Sequence, residues 1–223
     1  MMTKYYLYVS TSKLDMLADQ IPESAKQKYA AEFGFNWGVA SGKIGAEIEP
    51  PQPSKRLDAV AHYLIAEKKP RCLEDAREWV LDRLTVKHLA VRAVPNLFLL
   101  VGKRNGMLHC LGGSTHHVVG NRRGKEADSS YSYFPYMAEA LSREFSEEGI
   151  SFRENREKLY GKDKVSRELA GVRSHEWADA VADLYSNPAP TFEIAFLSRF
   201  LAQGRDLNGE YCTVSSPLYV ELK

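Results

Sequence analysis

The chain has 223 residues, 44% of them apolar and 26% charged, with 30 Lys and Arg against 29 Asp and Glu. These fractions belong to an ordinary globular protein and exclude a disordered, collagen-like or coiled-coil chain. A formal charge of +1 argues against bulk nucleic acid as a partner. A single globular domain over residues 1–223 is expected. At this length one core buries roughly 70% of the unfolded surface without a stapling metal or disulfide.

Tyr5–Val9 is aromatic and β-branched and predicts a buried strand. It stops at Ser10, Thr11 and Ser12, and residues 13–21 then place Leu14, Leu17 and Ile21 at helical spacing before Pro22. Glu23–Phe33 predicts a second helix with Ala25, Tyr29 and Phe33 on one stripe, ended by a left-handed cap at Gly34. Residues 35–48 are glycine-punctuated and read as a bent strand or hairpin, and Pro50, Pro51 and Pro53 make a stiff connector. Residues 57–68 carry Leu57, Val60, Ala61, Leu64 and Ile65 on one helical face.

Residues 75–84 have helical spacing whereas 85–91 alternate, so this stretch reads either way. The apolar runs 96–101 and 107–111, joined by residues 102–106, predict a hairpin. A polar loop at 122–132 (with Arg122, Arg123 and Lys125), a helix at 134–145 and a charged, peripheral helical region at about 153–170 follow. Residues 174–185 and 191–201 are amphipathic and are separated by the helix-breaking run at 187–190. Tyr211–Leu222 predicts a terminal strand in the same sheet as the first, with Pro217 at its entry or on an edge. The fold class is therefore α/β or α+β, a single mixed sheet containing a central antiparallel hairpin and flanked by several helices.

Cys72, Cys110 and Cys212 are odd in number and lack CxxC spacing, as expected of reduced, buried thiols in a cytoplasm. Apolar runs such as Leu97–Val101 are too short to span a bilayer, and no signal-peptide pattern is visible, so no membrane association is expected.

Chemistry concentrates in residues 111–120. Gly112 and Gly113 follow a strand and are expected to turn with positive φ, so that consecutive N–H groups form an anion nest. Ser114 and Thr115 add hydroxyls, His116 and His117 add imidazoles that titrate near neutral pH, and Gly120 closes the segment. The set suits a small anionic ligand, phosphorylated or nucleotide-like. The plainer alternative is a hairpin end with His117 packed in the core.

Ser10, Thr11, Ser12 and Lys13, at a strand-to-helix junction, form a second wall for that ligand or simply cap the helix. His116 and His117 as acid and base would make a metal-independent phosphodiesterase or nuclease, steadied by Lys13, Arg122 or Arg123. Strand alternation sends adjacent side chains to opposite faces, so that reading needs an irregular segment. His109, Cys110, His116 and His117 have no metal-ligand spacing, and neither metal nor cofactor is expected.

Three segments resemble an uncharacterised bacterial family of domain-of-unknown-function proteins: residues 6–17, the Gly-Gly-Ser-x-His-His-x-x-Gly run at 112–120, and residues 216–220. The resemblance implies a cytosolic bacterial protein and brings no activity. The leading functional expectation is a small-molecule-binding or sensor domain, the alternative is the phosphodiesterase, and a third class is an interaction subunit without a small ligand. A homo-oligomer is left open. Convergent N–H groups would favour the first class, facing imidazoles the second, and a buried, internally bonded loop the third.

Overall fold

The computed structural model describes residues 4–34, 37, 53–91, 96–120, 174–206 and 208–223. Apart from residue 37, the elements expected at 35–48, 122–132, 134–145 and about 153–170 lie outside the described residues. The described chain forms two compact units, Ser10–Pro70 and Met1–Val9 together with Arg71–Lys223.

The first unit holds α1 (Thr11–Gln20), α2 (Glu23–Phe33) and α3 (Pro53–Lys68). Leu14, Ala18, Tyr29, Leu57, Val60 and Leu64 are buried, so the apolar stripes of the three helices are their packed faces. The Tyr29 ring meets Tyr63 edge-on at 6.4 Å, and Phe33 meets His62 at 4.9 Å. Asp15 and Arg56 tie α1 to α3 through a 2.7 Å ion pair.

The second unit is built on β1 (Tyr5–Val9), β2 (Trp79–Leu89), β3 (Leu97–Arg104), β4 (Met107–Ser114), β5 (Thr191–Arg205) and β6 (Tyr211–Leu222), with α4 (Ser174–Ser186) between β4 and β5. The sheet order is β1-β6-β4-β3-β2-β5, and β5 also pairs with β6, which closes β2 to β6 into a five-stranded barrel. The mixed sheet and its central hairpin are as expected from the sequence; the closure is not. Residues 191–201, amphipathic in sequence, belong to strand β5. Both edges of that strand are taken, by β2 through Trp79↔Arg199 to Lys87↔Thr191 and by β6 through Ile194↔Leu222 to Arg205↔Tyr211.

Counted within the barrel alone, the five strands run 1-2-3-5-4 and back to 1, with the third and fifth parallel. This is the Greek-key order of the oligonucleotide/oligosaccharide-binding barrel. Such barrels bind ligands on their second and third strands, but a fold does not carry a function with it. Here Trp177, Ala178, Val181 and Leu184 of α4 pack over Leu97, Leu99 and Val101 of β3 and Leu108 and Cys110 of β4, covering that surface.

The opposite faces of the strands converge on a second cluster: Tyr8, Val80, Leu84, Val86, Phe98, Leu100, Leu111, Ile194, Phe196 and Val220. It draws on all six strands and on no α-helix, so it lines the barrel interior. On β2 the intervening Leu81, Arg83 and Thr85 are exposed, as period-2 alternation requires of a barrel wall.

Pro217 sits mid-strand, a position its missing N–H usually forbids. The pairing explains it. β4 accompanies β6 only as far as Ser215, β1 takes over at Tyr219, and a bulge at Leu218 shifts the register against β5. The expectation of an entry or edge proline is replaced by a proline at a change of partners.

The hairpin is tighter than residues 102–106, because β3 continues to Arg104 and only Asn105 and Gly106 turn. Their φ values of 51° and 78° identify a type I′ turn. Gly106→Ala is expected to cost about 1 kcal/mol by forcing a Cβ into left-handed backbone, read as a lowered urea midpoint with unchanged slope. An unchanged midpoint would contradict the turn assignment.

Candidate functional site

Gly112, Gly113 and Ser114 are not a turn. They are the last residues of β4, paired with Leu99, Phe98 and Leu97, and neither glycine has positive φ. Gly113 is required for another reason. A Cβ there would collide with the Tyr8 hydroxyl and lie 2.8 Å from Tyr8 Cζ. The barrel has room for the Tyr8 ring, stacked on Phe98 at 5.1 Å, because position 113 has no side chain.

Thr115, His116 and His117 make one 3-10 turn, Val118 bridges to Tyr8, and Gly120 has φ 83°. The N–H groups of this stretch point back into the protein. Thr115 N donates to Asn96 O at 2.8 Å, Val118 N to Thr115 O at 3.1 Å and Val119 N to Leu7 O at 2.9 Å. His116 N donates to Ser114 Oγ at 3.2 Å. The expected nest of convergent N–H groups is therefore not formed.

The two histidines diverge in environment. His117 is buried edge-on against Tyr8 at 5.7 Å, while His116 is exposed, its ring 5.1 Å from that of His117 and inclined by 67°. The segment is irregular enough to bring the rings together, but they do not face each other across an open space.

Ser10, Thr11, Ser12 and Lys13 belong to the helical unit. Ser10 is the N-cap of α1 through its carbonyl, which accepts from Leu14 N at 2.9 Å; its side chain makes no cap bond, and Thr11 and Ser12 lie exposed in the first turn.

The barrel interior holds the less expected polar group. His109 of β4 is fully buried, and its Nδ1 lies 2.8 Å from Thr213 Oγ1 on the neighbouring β6. Two residues further along each strand, Leu111 is paired with Ser215, and Ser215 is paired in turn with Phe200 of β5, two residues from Ser198. Alternation puts His109, Thr213, Ser215 and Ser198 on the same inward face as Leu111 and Phe196. His109 Nε2, Ser198 Oγ and Ser215 Oγ are buried and find no hydrogen-bond partner among the described residues. Burial, reinforced by the Arg104 charge, pushes the His109 imidazole down to about 4, so it is neutral at physiological pH.

Arg104, on the same face of β3, is spent on carboxylates. Its Nη2 is 2.6 Å from Asp82 Oδ2, and its Nε is 2.8 Å from Glu74 Oε1. Asp82 also accepts from the N–H groups of Leu73 and Arg83 at 2.8 and 2.7 Å. Burial pushes the Asp82 carboxyl up, but Arg104 and those N–H groups outweigh it and hold it below its ordinary value. This network fastens the short turn Leu73–Asp75 to the hairpin.

Ser198, Thr213 and Ser215 carried a signal in the sequence: polar residues at inward positions of strands whose other inward residues are Phe192, Ile194 and Phe196 or Val220. The apolar spacing of residues 191–201 also suits an amphipathic helix, and that masks the alternation. All three cysteines are free thiols, but only Cys110 and Cys212 are buried; Cys72, expected to be buried with them, is exposed beside the short turn Leu73–Asp75. Burial pushes the two buried thiols up, which makes them inert. Among the described residues no group of three or more His, Cys, Asp or Glu could hold a metal, and no helix is long and apolar enough to cross a membrane.

No curated protein and no solved structure matches the chain. A family match covers residues 4–223, nearly the whole length and both compact units, and by it the chain belongs to DUF7019, a family of unknown function.

Proposed function

We propose that the barrel unit is a small-molecule-binding domain whose ligand sits inside the barrel, with the Gly112–Gly120 segment serving as wall. The observation that supports this is the set His109 Nε2, Ser198 Oγ and Ser215 Oγ, buried polar atoms on three adjacent strands with no hydrogen-bond partner among the described residues. Each buried polar atom left unpaired costs about 1–3 kcal/mol. Apolar side chains at the same positions would avoid that cost, so a partner supplied from outside accounts for the polar set.

The anion cradle has less support, because the N–H groups that would make it are already bonded. Acid–base catalysis has less support because His117 is enclosed. A bacterial cytoplasm is the proposed setting, supported by the free thiols for the compartment and by the family resemblance for the source.

Native mass spectrometry of the full chain, isolated from its host cells without denaturation, tests the reading. A mass increment that denaturation removes is the expected result. A bare-chain mass, together with no shift in melting temperature across a metabolite library, contradicts it.

A further inference from the structure

We infer that residues 71–75 form a strap that closes the barrel at a seam between β2 and β3, with Leu73 as its plug and Arg104 as its latch. Lifting the strap admits the small molecule, so the inference rests on the binding reading above and adds the route to that site.

The seam is visible in the pairing. β2 and β3 share only three pairs, Lys87↔Val101, His88↔Leu100 and Leu89↔Leu99. β3 runs on to Arg104 and β2 begins at Trp79, so beyond Lys87 and Val101 no ladder joins the two strands. They still touch at Gly102, where a Cβ would collide with Thr85 O. Past that point a side chain spans the gap in place of backbone bonds: Arg104 Nη1 donates to Arg83 O at 3.0 Å.

The strap takes the rest of the seam. β5 holds one edge of β2 from Trp79 to Lys87. Arg71 holds the other, the edge β3 uses further along: Leu81 N donates to Arg71 O and Arg71 N to Trp79 O, both at 3.0 Å. Leu73 then joins the interior cluster at 2% exposure, while Arg71, Cys72, Glu74 and Asp75 are exposed. Leu73 N donates to Asp82 Oδ2 at 2.8 Å, Arg104 Nη2 to Glu74 Oε2 at 2.9 Å and Asn105 Nδ2 to Glu74 Oε1 at 3.1 Å. One leucine and a set of partly exposed polar contacts hold the strap, whereas ladders and a continuous core hold the rest of the wall. Such a segment opens before the wall does.

What lies behind the seam gives the opening a use. His109 is paired with Gly102 across the β3–β4 ladder, one strand from the seam. The charges of Arg104, Glu74 and Asp82 all bear on its imidazole. At the other end of β3 the interior is shut by buried rings, Tyr8 stacked on Phe98 with His117 edge-on.

The test uses the full ¹⁵N-labelled chain at neutral pH and two readouts. Amide exchange follows Leu73 N–H and Leu81 N–H, whose acceptors are Asp82 Oδ2 and Arg71 O, against the amides of the β2–β5 ladder. Acylation by diethyl pyrocarbonate, mapped by peptide mass spectrometry, reports access to His109, with the exposed His116 as internal standard. The strap amides are expected to exchange faster than the ladder and with little dependence on urea, the mark of a local opening. Glu74→Ala is expected to speed both strap exchange and His109 acylation by about five- to ten-fold. Leu184→Ala, which weakens the same unit from its α4 side, is the comparison for global loosening.

Strap amides that exchange only together with the ladder overturn the inference. So does His109 acylation that Glu74→Ala leaves unmoved, or that follows overall stability equally in Glu74→Ala and Leu184→Ala. None of these outcomes touches the mass increment of the native chain, so the binding reading stands or falls separately.

Discussion

Gly113→Val is expected to destabilise the chain by about 3 kcal/mol, the upper end of the range for overpacking a close-packed core. The expectation does not rest on backbone strain, since Gly113 lies in β4 with ordinary strand geometry. It rests on Tyr8. The added Cβ would meet the Tyr8 hydroxyl and Cζ, and Tyr8 is fully buried between Phe98 and His117, with no room to retreat. Urea unfolding reads the loss as a lowered midpoint. Tyr8→Phe removes the most crowded atom, so the Gly113→Val cost should be smaller in that background, a positive coupling of neighbours. Equal costs in the two backgrounds would mean that the Tyr8 ring does not occupy the space over Gly113.

The second large effect is on pH dependence. A free histidine titrates near 6.5, and His109 in the folded chain titrates at about 4 because burial disfavours its charged form. Above the unfolded value both states are neutral and the full stability is present. As the pH falls below 6.5 the unfolded chain takes up the proton first, and stability is lost until the folded value is reached. Two and a half pH units correspond to roughly 3 kcal/mol in all, about 2 of it by about pH 5.

His88, also lowered by burial, acts in the same direction, so the comparison that isolates His109 is with His109→Gln. That variant should be the less pH-sensitive of the two in urea unfolding between about pH 7 and about pH 5. The carboxyls of Asp82 and Glu74, held below their ordinary values, lose their contribution only at lower pH. Parallel pH profiles for wild type and His109→Gln would contradict the burial of a neutral imidazole in the barrel.

Local chemistry was legible in the residues where one interaction decides the structure. Asn105 and Gly106 specify their turn, Gly34 stops α2 with φ 62°, and the aromatic, β-branched run at Tyr5–Val9 makes β1, though as an edge strand with only Tyr8 buried and not the buried strand expected. What the sequence hid was set by distant partners. Residues 191–201 have an apolar spacing that suits more than one element, and pairing with β2 on one side and β6 on the other makes them a strand. Barrel closure follows from that same double pairing, which no local window contains.

The Gly112-Gly113 pair illustrates the same limit. A glycine needed for a turn and a glycine needed because a tyrosine from residue 8 lies across it look identical in sequence. Once the pair is a strand end, the anion nest expected from it loses its basis, and the polar set that remains is the one facing the barrel interior.

The central claim is that the barrel unit binds a small molecule through buried polar side chains on its inward face, among them His109, Ser198 and Ser215. Atomic-resolution electron density for the full chain, crystallised as isolated from its host, tests it most directly. The account predicts continuous non-water density within hydrogen-bonding distance of at least one of His109 Nε2, Ser198 Oγ and Ser215 Oγ. Isolated water peaks at these atoms, or direct contacts among the three side chains with no space between them, would contradict it.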